Sequence, residues 1–430
     1  MKAEIKQRIT QLNNGEVPNG YKKTEFGVFP CDWVVDKTFG DLFDFYGGLG
    51  KSREELGDEG YAYLHYGDLH RGAFNVVSHE QYKHLPKYDV TLKGTETYLM
   101  EDGDVAFLDA SEDLEGTSRA VVIDNPDNDP FIAGLHIIYG KSKDDSLDKW
   151  YKQYITLPES VRKQFQKLAV GFKVYGLNRE TLPKIHIAYP ESAKEQSKIA
   201  EILMKWDEAI ELQEQYIGTL ENRKKFLIKK LLTPKGNWSS VKLGNIAEMY
   251  AGGTPSTQKS EYWGGEIPWI QSGLIQNGYI DIENIDGRIT EQGLKKSSAT
   301  WIAKNSVLVA ITGATCANIA YLRCDATANQ SVISITTNAV DSLFLYFYLQ
   351  SARNKLLSLQ NGSAQGGLTL KYLQNFEIMY PELSEQKKIG SILSNVDVEI
   401  SMQKDIVLKL KNQRKALQQY LLNGIVRVNK

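Results

Sequence analysis

Cysteine is nearly absent from this chain, with three in 430 residues. Cys31, Cys316 and Cys324 are odd in number and none stands at a metal-ligand spacing, which excludes a disulfide framework and points to a reduced cytoplasm. Long apolar runs are missing too. The most apolar stretch, Ser306 to Leu322, is broken by Thr312, Gly313, Thr315 and Asn318. A bilayer span needs about 20 mostly apolar residues, so this pattern reads as buried strands and no membrane partner is expected. The opening residues, MKAEIKQRITQLNNG, lack the apolar core of a signal peptide. An excess of charge is also lacking, the net value being −2.

The signatures of catalysis are equally scarce. GGLGKS (47–52) lacks the glycine that a phosphate loop places five residues before Gly50, where Phe45 stands. His65 and His70 flank four residues, a spacing no common zinc motif uses. All six histidines lie in the first half of the chain. EDGD (101–104) and SEDLE (111–115) read as solvated acidic loops. No glycine-rich cofactor loop follows a strand, and neither an Asn-Pro-Pro-aromatic motif nor a nuclease carboxylate–lysine constellation is found. The expectation is a chain with no catalytic residue, no metal and no cofactor of its own.

What the sequence does contain is itself, twice. YPESAKEQSKIA (189–200) and YPELSEQKKIG (380–390) are two versions of one helix start. With Glu195-Gln196 set on Glu385-Gln386, the match runs without gaps to Leu232 and Leu422. Identities include Lys198/Lys388, Ile202/Ile392, Asp207/Asp397, Asn222/Asn412 and Leu231/Leu421. A repeat of this length decides the architecture before any local reading.

Within the repeat, apolar residues recur at alternating spacings of four and three. The first copy gives Ile199, Leu203, Trp206, Ile210, Gln213, Ile217, Leu220, Lys224, Leu227 and Leu231. The second gives Ile389, Leu393, Val396, Ile400, Gln403, Val407, Leu410, Arg414, Leu417 and Leu421. This is a heptad seam, the pattern of a coiled coil. Both copies break it at the same two places, Gln213/Gln403 and Lys224/Arg414; polar residues in a seam lower stability and fix register. Ser192 with Glu195 predicts a capping box, and Ser384 an N-cap. Thr233-Pro-Lys-Gly236 and Asn423-Gly424 predict the ends. Two helices of about 38–40 residues, roughly 60 Å long, are expected to pair as a stalk or spacer.

The duplication extends beyond the helices. GFKVYGLNRETLPKIHIAYP (171–190) corresponds to GSAQGGLTLKYLQNFEIMYP (362–381), and WVVDKTFGDLFDFYGG (33–48) to WSSVKLGNIAEMYAGG (238–253). Between these brackets the halves diverge, although AYLHYGDLHRG (62–72) stands where IPWIQSGLIQNG (267–278) stands. Short runs such as VLVAITG (307–313), SVISITT (331–337) and AVVID (120–124), bounded by Gly, Asn and Asp, predict strands. SLFLYFYLQSARNKLLSL (342–359) predicts a helix. The reading is α+β: mixed domains at 1–190 and 236–381, with helices over 191–235 and 382–430, arranged as a pseudo-twofold internal repeat. Charge is uneven, −7 over 1–190, +1 over 191–235, zero over 236–381 and +4 over 382–430.

Turn-rich segments interleave basic, amide and hydroxyl side chains, which suit phosphates and base edges. They supply candidate DNA contacts at Lys51, Ser52, Arg53, His65, Arg71, Arg119 and Lys173. In the second half the candidates are Thr254, Ser256, Gln258, Lys259, Gln271, Lys295, Lys296, Thr315, Asn318 and Gln365.

The paired P-(x)n-EQ-x-K-I-(x)2-I-L helix starts, together with TP-(x)5-YWGGEIPWI (254–270) after Ala-Gly-Gly, resemble the specificity subunit of type I restriction–modification enzymes. The resemblance covers essentially the whole chain; its second-half motif is faded in the first half. It implies two target-recognition domains, each reading half of an asymmetric, bipartite double-stranded DNA sequence, held apart by antiparallel helices. It further implies two methyltransferase subunits using S-adenosylmethionine, restriction–translocase subunits using ATP and Mg, and no chemistry in this chain. A scaffold carrying two ligand-binding domains on a stalk, without DNA, is the alternative left by the residues alone.

Overall fold

In the computed structural model the chain divides into two compact units, residues 1–212 with 407–430, and residues 213–406. The structure describes residues 3–71, 76–78, 84–89, 95–108, 110–111, 120–168, 175–176, 178–358 and 367–428. The division falls inside both long helices, Ala193–Leu231 and Leu383–Leu422, so each unit holds one globular part and a portion of each helix.

The first unit is built on a five-stranded sheet in the order Phe43–Gly47, Ile137–Ser142, Val105–Leu108, Ala120–Asp124, Val76–Ser78. The first three contacts are antiparallel and the last is parallel. Beside it lies a three-stranded sheet, with Tyr61–Leu64 between Phe131–Ala133 (parallel) and Lys87–Tyr88 (antiparallel). The central strands read as continuous apolar runs because both faces are covered. Val105, Phe107 and Val122 join a core shared with Tyr151, Phe165, Ile199 and Leu421. Their alternates Ala106, Leu108, Val121 and Ile123 pack with Leu64, Phe131 and Ala133 of the smaller sheet.

The second unit repeats this arrangement strand for strand. Its five-stranded order is Glu248–Ala251, Val332–Thr336, Val307–Ala310, Ile319–Leu322, Tyr279–Ile280, again antiparallel three times and then parallel. Its smaller sheet has Trp263–Ile270 between Thr327–Ala328 (parallel) and Arg288–Ile289 (antiparallel). A two-stranded antiparallel ribbon closes each unit beside its helices: Trp33–Thr38 with His186–Pro190, and Ser239–Lys242 with Glu377–Tyr380.

The helices contain 39 and 40 residues, and their starts differ from the sequence reading. Ser192 Oγ accepts from the Glu195 N–H at 3.4 Å, but the Glu195 carboxylate turns to Arg427 at 2.7 Å, so the reciprocal half of the capping box is not made. Ser384 is not the N-cap: the second helix begins at Leu383, and the Ser384 hydroxyl donates to Glu382. The second helix ends before Gly424, which takes φ +65° as a C-terminal glycine does. The expected helix over 342–359 is two, Ser342–Ser351 and Arg353–Ser358, parted at Ala352. No described helix is long and apolar enough to cross a membrane.

The repeated glutamine explains why the helix start occurs twice. Gln196 is fully buried; its Oε1 accepts from Asp148 N at 2.7 Å, and its Nε2 donates to Ser146 O and Pro190 O, each at 2.8 Å. Gln386 does the same in the second unit, accepting from Asp341 N at 2.7 Å and donating to Pro381 O at 2.8 Å. Each amide therefore joins a long helix to the globular part of its unit.

Candidate nucleic-acid interface

In both units the two sheets meet at one corner, where strand ends release loops side by side. In the first unit Gly48 N donates to Ile137 O, Leu49 N to Ala133 O and Gly134 N to Leu64 O. In the second, Gly252 N donates to Val332 O, Gly253 N to Ala328 O and Asn329 N to Ile270 O. These bonds pair Gly48 with Gly252 and Leu49 with Gly253 as structural equivalents. The approach is close enough to demand glycine: a Cβ at Gly48 would lie 1.9 Å from Gly134 O, and one at Gly252 2.3 Å from Ala328 O.

Different side chains hold this corner in the two units. Buried Tyr63 sends its hydroxyl to Leu49 O at 2.5 Å and accepts from Leu135 N at 2.8 Å. Trp269 takes the same strand position, and its indole N–H donates to Gly253 O at 3.0 Å. Two residues on, His65 is matched by Gln271. Around His65, the Lys51 ammonium meets Glu55 at 2.9 Å, the Glu55 carboxylate accepts from Ser52 N, and Arg53 pairs with Asp68 at 2.5 Å. Around Gln271, which is exposed, Thr254 bonds Gln330 and Thr315 donates to Ser272 O at 3.2 Å. The loop carrying Ser256, Gln258 and Lys259 continues from there, tied by the Trp263 indole on Ser256 O and by Lys259 on the Tyr262 hydroxyl. Lys295 and Lys296 are exposed at the end of helix Glu291–Lys295, which packs through Gly293 on Tyr262.

Lys51, Ser52 and Arg53 are thus brought together in the first unit, and Thr254, Gln271 and Thr315 in the second. Two candidates are engaged within the protein itself. His65 is 6% exposed and its Nδ1 accepts from the Gly67 N–H, while burial and then the Arg53 charge push its pKa down. In this structure the imidazole is packed inward, with Nδ1 already engaged. Asn318 is likewise committed inward, its Nδ2 on Ile275 O at 3.0 Å and its Oδ1 on Arg353 Nε at 3.1 Å. Arg119, Lys173 and Gln365 lie outside the described residues, as does the side chain of Arg71.

Sequence reasoning passed over Tyr66. Its ring is 38% exposed, 4.5 Å from the His65 ring and edge-on to His136 at 5.3 Å. A bulky aromatic between two loop histidines was the available signal. EDGD (101–104) is not a wholly solvated loop either: Asp104 is 5% exposed, accepts from Glu101 N at 2.8 Å, and is pushed up to about 6, chiefly by burial. Among the described residues no group of three or more His, Cys, Asp or Glu is gathered as a metal would require.

The helices carry the remaining sequence-marked residues. Ile199, Leu203, Ile210, Ile217, Leu220, Ile389, Leu393, Val396, Ile400, Val407 and Leu421 are buried. Trp206, Gln213, Lys224, Leu227, Leu231, Gln403, Leu410, Arg414 and Leu417 are half-buried. Within the second unit the helices run antiparallel: Gln213 Nε2 donates to Gln403 Oε1 at 2.6 Å, Tyr216 meets Glu399 at 2.8 Å and Lys224 meets Asp397 at 2.6 Å. Within the first, Arg414 clasps Asp207 through Nε at 2.8 Å and Nη2 at 2.9 Å.

One α+β frame is thus built twice, with unlike loops at the same corner. The chain belongs to the type I restriction modification DNA specificity domain family, which it matches twice, over residues 30–222 and 235–412. It is 32% identical over 190 residues to the type I restriction enzyme MjaIX specificity subunit of Methanocaldococcus jannaschii, covering 43% of this chain and 42% of that protein. It is 23% identical to the putative MjaX specificity subunit of the same organism, over 95% of this chain and 97% of the relative. A crystal structure of a type I restriction–modification S subunit from M. genitalium superposes with a TM-score of 0.59 at 17% identity, covering 95% of this chain and 98% of that one.

Proposed function

We propose that the chain is the DNA-specificity subunit of a type I restriction–modification complex that reads a bipartite, asymmetric duplex. Each unit reads one half-site with the loops at its sheet corner, and the paired helices form a coiled-coil spacer between the halves. Two methyltransferase subunits and restriction–translocase subunits dock on it in the cytoplasm, bringing S-adenosylmethionine, ATP and Mg; this chain selects the DNA and performs no chemistry. The observation that supports this most is one strand arrangement repeated around unlike loop side chains, as two non-identical half-sites require. Phosphate contacts position such a reader, and amides, hydroxyls and guanidinium groups at base edges specify the sequence.

The test is a map of methylated adenines in cells with this gene deleted and restored. A two-part motif that disappears on deletion and returns with the gene is expected; an unchanged pattern overturns the reading. With a net charge of −2, much of the phosphate contact falls to the partner subunits. Salt dependence of DNA binding should then be steeper for the complex than for the chain alone, and equal slopes would refute that division of labour. One heptad added to each helix, about 10 Å, should lengthen the separation and leave both half-sites unchanged.

A further inference from the structure

Asp207 and Asp397 are the same residue of the repeat, and each is used in three directions. Asp207 lies on the first long helix and receives Arg414 of the second. Its Oδ2 also accepts the hydroxyl of Tyr154 at 3.2 Å. In the other unit the roles of the helices are exchanged. Asp397 lies on the second helix, receives Lys224 of the first at 2.6 Å, and accepts the hydroxyl of Tyr279 at 3.3 Å. One carboxylate thus joins two helices and a globular part, once in each unit.

The tyrosines arrive by unrelated routes. Tyr154 ends a short turn of 3-10 helix, Lys152–Tyr154, that packs against the face of the five-stranded sheet. Tyr279 sits on the edge strand Tyr279–Ile280 of the five-stranded sheet itself. Duplication alone would have placed them at matching positions. The carboxylate and the cation were inherited as a pair, whereas each globular part supplies its hydroxyl from a different element. The same three kinds of chemical group therefore meet once in each unit.

Apolar seam contacts are tolerant of small slides and rotations, because one branched aliphatic side chain fits beside another in many poses. The bidentate Arg414–Asp207 contact is less tolerant, since it fixes both distance and orientation, and the Lys224–Asp397 contact fixes distance. Arg414 is 14% exposed against 32% for Asp207, and Asp397 11% against 20% for Lys224, so both pairs are partly withdrawn from water. We propose that the two Tyr–Asp–cation triads are positioning devices which lock helix register and the pose of each recognition unit together. They thereby hold the half-site separation to a single value. This rests on the functional reading above.

The experiment maps adenine methylation in cells expressing the full chain with its natural partners. Asp207→Asn with Asp397→Asn keeps the side-chain shapes and removes the charges. Methylated sites whose halves stand one base pair nearer or farther should rise about tenfold relative to the native separation, with both half-site sequences unchanged. Tyr154→Phe with Tyr279→Phe removes only two hydroxyls, keeps the helix pairing, and should give the same broadening in weaker form. Exchange of the charges, Asp207→Arg with Arg414→Asp, should restore the single separation in a chain that also carries Asp397. A single separation in both the Asn and Phe variants, even with lowered thermal stability, would show a merely structural role and overturn the inference. Loss of the two-part motif's dependence on the native gene would instead sink the functional reading, and this inference with it.

Discussion

The two units agree in every pairing of their large and small sheets and disagree in the side chains that support those pairings. Tyr63 and Trp269 share neither size nor chemistry at the tip, yet each donates to the carbonyl of the equivalent loop residue. Asp104 and Ser306 precede equivalent strands, and their carbonyls accept from Ile123 N and Leu322 N; one is a buried carboxyl, the other a buried hydroxyl. A backbone hydrogen-bond plan can therefore outlast most of the residues that once served it. What must persist is a donor of the right reach, or a glycine where no Cβ fits.

The comparison would break most violently at the glycines. Gly48→Ala and Gly252→Ala should each cost about 3 kcal/mol or more, the first through one carbonyl oxygen 1.9 Å from the new Cβ and the second through two at 2.3 Å; urea unfolding of the full chain measures both. Next comes an inequality between the units. Glu195, 2% exposed, is bidentate to Arg427, which also holds Asp32, whereas Glu385 meets an exposed Lys235 at 3.5 Å. Arg427→Ala strands a buried carboxylate and should cost about 3 kcal/mol. Lys235→Ala should stay under about 1 kcal/mol. Equal losses would show that the two clasps are equivalent after all.

Smaller differences sharpen the picture. Gln196→Ala leaves three main-chain groups without their partner and Gln386→Ala two, so costs of about 3 and 2 kcal/mol are expected, in that order. The smallest effect separates the units by pH. Asp104 titrates near 6 in the folded chain against an ordinary 3.8. Its raised value gives stability that is complete below about pH 4 and is lost as pH rises to 6, on the order of 2 kcal/mol. Hydrogen exchange at Val105–Leu108 should therefore be slower at pH 4 than at pH 7, after correction for intrinsic rates. Val307–Ala310, behind Ser306, should lack that contribution, and Asp104→Asn should abolish it.

The family could be read from the sequence because it rests on features that repeat along the chain. Seven-residue periodicity and the doubled Glu-Gln are local patterns, and so are the unbroken runs of Val, Ile, Leu and Ala that mark strands buried on both faces. The order of strands could not be read. A buried strand asks only for apolar residues, so the middles lost their resemblance while keeping their topology. Gln196 and Gln386 were visible as a repeat but not as joints, because their acceptor contacts lie 48 and 45 residues away. His65 looked available for the same reason: what covers it, the Tyr66 ring and the Gly67 N–H, depends on a turn whose shape is set by Asp68 on His65 N.

The glutamine joints touch only peptide groups: the N–H of Asp148 or Asp341, and carbonyls of Ser146, Pro190 and Pro381. A socket made of main chain is blind to the identity of the residues that form it. Replacement of either block should therefore leave the glutamine joint intact, provided the new block ends in the same ribbon and presents one amide at the same place; the contact to Asp207 or Asp397 still asks for a hydroxyl. The fastener is universal, and novelty of reading is confined to what is plugged into it.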